Sequence, residues 1–153
     1  MKVIPWAMML GLIGLGLLYL GMPGPGLTEV CTMPAGMSCP KSDLSSSSDL
    51  LNVTLVNGLK KNIVITNISC SKDSMQSEPC DSNRCAGFSG DGVTVPLGGS
   101  FNALVTCNDD KGKAMTIDQG DAYSGRINLE YYFQDEGSRA MRKIRGNLYI
   151  KAS

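Results

Sequence analysis

Residues 50–70 read LLNVTLVNGLKKNIVITNISC, and the spacing of their apolar side chains decides the fold. Leu51, Val53 and Leu55 alternate with Asn52, Thr54 and Val56, which places one set on each face of an extended chain. Asn57-Gly58 punctuates the run, and a β-branched stretch resumes from Lys60 to Cys70. The pattern predicts two adjacent antiparallel strands joined at that dipeptide. The same period of two returns at Phe101, Ala103, Val105 and Cys107, at Ile127, Leu129, Tyr131 and Phe133, and at Ile144, Gly146, Leu148 and Ile150. Shorter strands are expected at 41–44 and 93–96, with Gly98-Gly99 and Glu136-Gly137-Ser138 at hairpin positions. No helical period intervenes. The body is therefore expected to be mainly β, an antiparallel sandwich whose sheets each show one face to water.

Ahead of that body lies MKVIPWAMMLGLIGLGLLYLG, residues 1–21, with Lys2 as its only charge. A helix over the apolar stretch would rise about 1.5 Å per residue and span roughly 27 Å, close to a bilayer's hydrocarbon thickness. The next cation is Lys41, so Lys2 marks the cytoplasmic end and residues 27–153 are expected outside, anchored at the cell surface. A removable signal peptide is the competing reading; the run is long for one and no A-x-A-like site follows. Trp6 and Tyr19 sit near the two ends, as interfacial aromatics do. Gly11, Gly14 and Gly16 would let copies of the helix approach closely, against the alternative of an ordinary anchor with incidental glycines. Residues 1–26, including the joint MPGPG, form one unit and 27–153 the other.

The chain has 14 basic and 14 acidic residues, so no global field favours nucleic acid, and the cluster Arg139, Arg142, Lys143, Arg145 reads as a solvated strand face. Histidine is absent, which removes the commonest general base and transition-metal ligand. No catalytic constellation or cofactor motif is found, and the expectation is a protein that is not an enzyme. The glycine-rich stretch 87–99 lacks the G-K-[ST] ending of a phosphate loop, and the serines at 45–48 have no base. Asp109, Asp110, Asp118 and Asp121 offer oxygens around a Gly-containing loop without calcium-loop spacing, so a solvated loop is the simpler reading. Asn52-Val53-Thr54 and Asn67-Ile68-Ser69 match the N-glycosylation pattern, and Asn52 and Asn67 are candidate acceptors.

Six cysteines, an even number, all follow the apolar segment, as suits an oxidising compartment. Fifteen pairings are possible. Zinc is the rival, but the chain has no C-x-x-C and no histidine. Closure of CTMPAGMSC by Cys31 and Cys39, and of CDSNRC by Cys80 and Cys85, is expected. The second spacer is too long for a thiol oxidoreductase motif. Residues 93–105, VTVPLGGSFNALV, resemble the strand and turn usage of immunoglobulin-like modules common on microbial surfaces. That topology implies that strands ending at Cys70 and Cys107 lie in facing sheets, run the same way and meet, which favours their disulfide.

Taken in order, IPWAMMLGLIGLGLLYLG, CTMPAGMSC, residues 50–70, VPLGGSFNALVTC and RINLEYYF resemble archaeal type IV pilin-like surface proteins over nearly the whole chain. The resemblance implies an N-terminal helix, residues 6–20 foremost, that rests in membrane lipid and then self-associates as a filament core. The sandwich decorates the outside, for adhesion to a surface or glycan ligand or for display. Such pilins carry a short basic leader and a glutamate early in the mature chain, whereas here no acidic residue precedes Glu29. Either the leader lies upstream of Met1, or the chain is an accessory relative that stays in the membrane. The alternative function is a single-pass surface binding module that does not polymerise.

Overall fold

A computed structural model describes residues 29–72 and 78–153. The apolar segment, with Trp6, Gly11, Gly14 and Gly16, lies outside these residues. Nine strands follow in order: β1 (Val30–Thr32), β2 (Met37–Ser45), β3 (Leu50–Asn57), β4 (Ile63–Ser71), β5 (Glu78–Pro79), β6 (Val93–Val95), β7 (Ser100–Asn108), β8 (Ala122–Phe133) and β9 (Arg142–Lys151). One antiparallel sheet runs β1-β9-β8-β4, with β5 and β6 also pairing with β4; the other runs β2-β3-β7.

The two sheets join along two parallel seams. At the first, Cys70 and Ser71 of β4 pair with Cys107 and Asn108 of β7. At the second, Leu44 of β2 bridges Ala152, Ser153 N–H donates to the Leu44 carbonyl at 3.0 Å, and Ser46 N–H donates to the Ser153 carbonyl at 3.2 Å. The strands thus nearly close around one core. Leu51, Val53 and Leu55 from β3 meet Ile63 and Ile65 from β4 and Ile127 and Leu129 from β8, all essentially inaccessible to water. Alternation within β3 and β7 follows directly from this, since every second residue faces that core.

The pairing of β3 with β4 expected from the sequence is not what forms. β3 pairs with β2 and β7, while β4 pairs with β8, β5, β6 and, at its end, β7. The link through Asn57-Gly58 crosses from one sheet to the other, and the buried Asn57 side chain explains why. Its Nδ2 donates to the carbonyls of Lys61 at 3.0 Å and of Val95 and Pro96 at 3.1 Å, and its Oδ1 accepts from Leu59 N–H at 3.0 Å. This asparagine gathers two crossings, because Gly98 N–H also donates to its backbone carbonyl at 2.7 Å. Accordingly Gly98-Gly99 turns between sheets and makes no hairpin, with β6 on β4 and β7 on β3. Glu136-Gly137-Ser138 does close a hairpin, between β8 and β9.

Candidate functional site

The outer face of the β2-β3-β7 sheet carries two cross-strand rows. Register sets Lys41 opposite Thr54 and Thr54 opposite Asn102; the neighbouring row is Asp43, Asn52 and Leu104. Thr54 Oγ1 donates to Asn102 Oδ1 at 2.7 Å, which fixes one row. Leu104 is 41% exposed, an apolar spot among amides. Against the free side of β7 stands the loop closed by Cys80 and Cys85. It is held by Ala86 N–H to the Asn102 carbonyl at 3.0 Å, Leu104 N–H to the Arg84 carbonyl at 2.7 Å, and Cys80 N–H to the Thr66 carbonyl at 2.8 Å. Asp81 shapes its tip, Oδ1 accepting from the N–H groups of Asn83 at 2.9 Å and Arg84 at 3.0 Å. Floor and wall together enclose an open cleft of about 400 Å³.

Two cations, Lys41 and Arg84, line the cleft. Arg84 is ion-paired with Glu78, and the Lys41 row lies beside that of Asp43. Asn52, Asn83 and Asn102 therefore dominate its chemistry, each offering amide N–H donors and a carbonyl acceptor. Among the sequence-singled residues, Asn52 is exposed on this floor, while Asn67 is half-buried in β4 with Nδ2 donating to Glu130 Oε2 at 2.9 Å. Ser69 of the second glycosylation pattern is 1% exposed, and Asn128 Nδ2 approaches its hydroxyl at 3.4 Å.

The remaining candidates are spread around the fold. Three disulfides join Cys31 to Cys39, Cys70 to Cys107 and Cys80 to Cys85. Cys80 and Cys85 are nearly buried. Asp109 forms a turn, Oδ1 accepting from Lys111 and Lys113 N–H at 2.8 Å; chiefly the Lys113 bond holds its carboxyl below the usual range. Among the described residues no group of three or more acidic or cysteine side chains gathers where it would hold a metal ion. The basic cluster lies beside acidic and amide partners on the β8-β9 hairpin. Arg142 Nη1 reaches Glu136 at 2.6 Å, Lys143 Nζ reaches Glu130 at 2.5 Å, and Arg145 Nε donates to Asn128 Oδ1 at 3.0 Å. Arg142 and Lys61 also lie 4.4 and 5.3 Å from the centroid of Phe133. The Asp135 hydrogen bond raises the Lys61 pKa, and the same bond lowers that of Asp135.

Sequence reasoning singled out Asn52 but missed the rest of the cleft. The exposed phases of β3 and β7 were visible as Asn52, Thr54, Asn102 and Leu104; their assembly depends on a register between strands far apart in sequence. Set against protein-family models, curated proteins and solved structures, the chain matches none.

Proposed function

We propose that the chain is a non-catalytic structural subunit of a cell-surface filament of the type IV pilin-like kind. Its N-terminal apolar helix anchors it in lipid and then packs against copies of itself. Residues 27–153 form an immunoglobulin-like head displayed outside. The observation that carries this reading is the junction: β1 begins at Val30, shortly after the apolar run ends at Gly21, and is secured at once. Cys31 is bonded to Cys39 in β2 and pairs in register with Leu148 in β9, so load arriving from the helix enters both sheets together. Two antiparallel sheets around one core support the immunoglobulin-like assignment.

Negative-stain electron microscopy with intact-mass analysis, on material sheared from producing cells, tests the proposal. Thin filaments containing the chain are expected, with a mass that locates the mature N-terminus. A full-length chain confined to the membrane fraction would overturn polymerisation and favour the alternative, a single-pass anchored binding module, which the cleft would serve equally well.

A further inference from the structure

Neighbouring strands lie about 4.8 Å apart and alternate residues about 7 Å apart, so the two rows on β2, β3 and β7 cover a patch of roughly 10 by 7 Å, the footprint of one or two pyranose rings. The groups on that patch are unlike those of most protein interfaces. Asn52, Asn83, Asn102 and Thr54 present neutral donors and acceptors at close spacing, the pattern that pairs with adjacent sugar hydroxyls. Leu104 offers an apolar spot for the C–H face of a ring. Of the two charged side chains that line the cleft, Lys41 and Arg84, the second is already ion-paired with Glu78. Bases of a nucleic acid would need aromatic platforms, and among the described residues no aromatic side chain lines the cleft.

We infer that this cleft binds a neutral saccharide, with Asn102 and Thr54 as its floor and Asn83 as its wall. The wall is prepared in advance. Disulfide Cys80–Cys85, the Asp81 turn and two backbone bonds to β7 fix Asn83 before any ligand arrives, so little ordering entropy opposes binding. An open patch of this size gives weak single-site affinity, and repetition along a filament would multiply it. In that respect the inference deepens the display reading, although binding by a single chain requires no filament. The saccharide has two possible sources: a glycan attached to Asn52 of the same chain, or one carried by another surface.

Two arms of one experiment separate these sources. In the first, isotope-labelled full chain in detergent micelles, produced without glycosylation, is titrated with trisaccharides of mannose, galactose or N-acetylglucosamine up to about 10 mM, enough to reveal a Kd of about 1 mM. At least one is expected to shift the amides of Asn83, Asn102 and Leu104. Asn102→Ala should weaken binding about three- to tenfold, Asn83→Ala should do the same from the wall, and Asn147→Ala on the opposite sheet should change nothing. In the second arm, glycopeptide mapping of chain from its own cells asks whether Asn52 is modified. A glycan seated in the cleft should be trimmed by an added glycosidase about three- to tenfold faster after Asn102→Ala. Support requires the localised shifts or the accelerated trimming. If neither is seen, or if shifts centre elsewhere, the inference fails, whatever electron microscopy shows of filaments.

Discussion

Removing the disulfide between Cys70 and Cys107 should weaken the fold more than removing either other bridge, and the order of the three losses follows from loop length. Cys70–Cys107 spans 37 residues, Cys31–Cys39 spans 8 and Cys80–Cys85 spans 5. The loop-entropy relation gives about 4, 2.5 and 2 kcal/mol respectively. Cys70 and Cys107 are both fully buried, so replacing them by alanine also leaves unfilled space and adds to the first figure. With an unfolding entropy of about 2.1 cal/mol/K per residue over roughly 120 residues, about 4 kcal/mol lowers Tm by about 15 °C and about 2 kcal/mol by about 8 °C. Paired Cys→Ala variants of the full chain, followed by circular dichroism through urea and thermal unfolding, measure these differences directly. A Cys80→Ala/Cys85→Ala pair that costs as much as Cys70→Ala/Cys107→Ala, or a loss below about 1 kcal/mol for the latter, would refute the reasoning.

Asn57→Ala should cost about 3 kcal/mol, because three backbone carbonyls lose their shared donor in a buried site; Asn57→Asp should cost more, since it turns a carboxylate toward those carbonyls. Urea unfolding of both variants checks the order. Burial pushes the Tyr123 hydroxyl up to about 12 from 10.0, so its contribution is complete below pH 10 and is lost as pH rises toward 12. That loss amounts to about 3 kcal/mol; Tyr123→Phe should be modestly less stable near neutrality, lacking the 3.2 Å bond to the Asn108 carbonyl, and should show a shallower alkaline fall. If the chain is glycosylated, glycopeptide mapping should find Asn52 occupied in preference to Asn67, which lies half-buried against Glu130.

The strand phases were legible wherever one face is buried and the other wet, as in β3, β7 and β9. In β4 the phase breaks at a bulge between Ile65 and Asn67: Ile63 and Ile65 face the core before it, Ile68 and Cys70 after it. That is why the stretch reads as an apolar run without clean alternation. β2 was legible only in part, since Met37 and Leu44 are its buried anchors and a register shift separates Ser38 from Lys41. Asn57-Gly58 misled because the dipeptide signals a turn but not the sheet to which the next strand returns. The difference lies in the side chain of Asn57, whose four partners come from both crossings. The cleft was illegible for the same reason, being defined by register and by a loop from a different part of the chain.

The placement of the disulfides follows a single physical need. The two antiparallel halves of this sheet meet at seams where strands run parallel, and each seam is thin in backbone pairing: two residue pairs between β4 and β7, one bridge between Leu44 and Ala152. Parallel pairs are also slightly weaker per residue than antiparallel ones. Cys70–Cys107 lies within the first seam, with Cα atoms 4.5 Å apart, and Cys31–Cys39 ties β1 of one sheet to β2 of the other, two strands that share no ladder. Cys80–Cys85 instead secures the loop that walls the cleft, where pairing with β7 is limited to a few bonds. Covalent bonds thus stand where hydrogen bonding is thinnest. If the head is displayed on a filament, shear applied through β1 should reach both sheets together without opening the second seam. Cys31→Ala/Cys39→Ala should then leave the cleft's saccharide affinity unchanged while letting β1 peel from the sheets under shear, read as faster proteolysis of sheared heads.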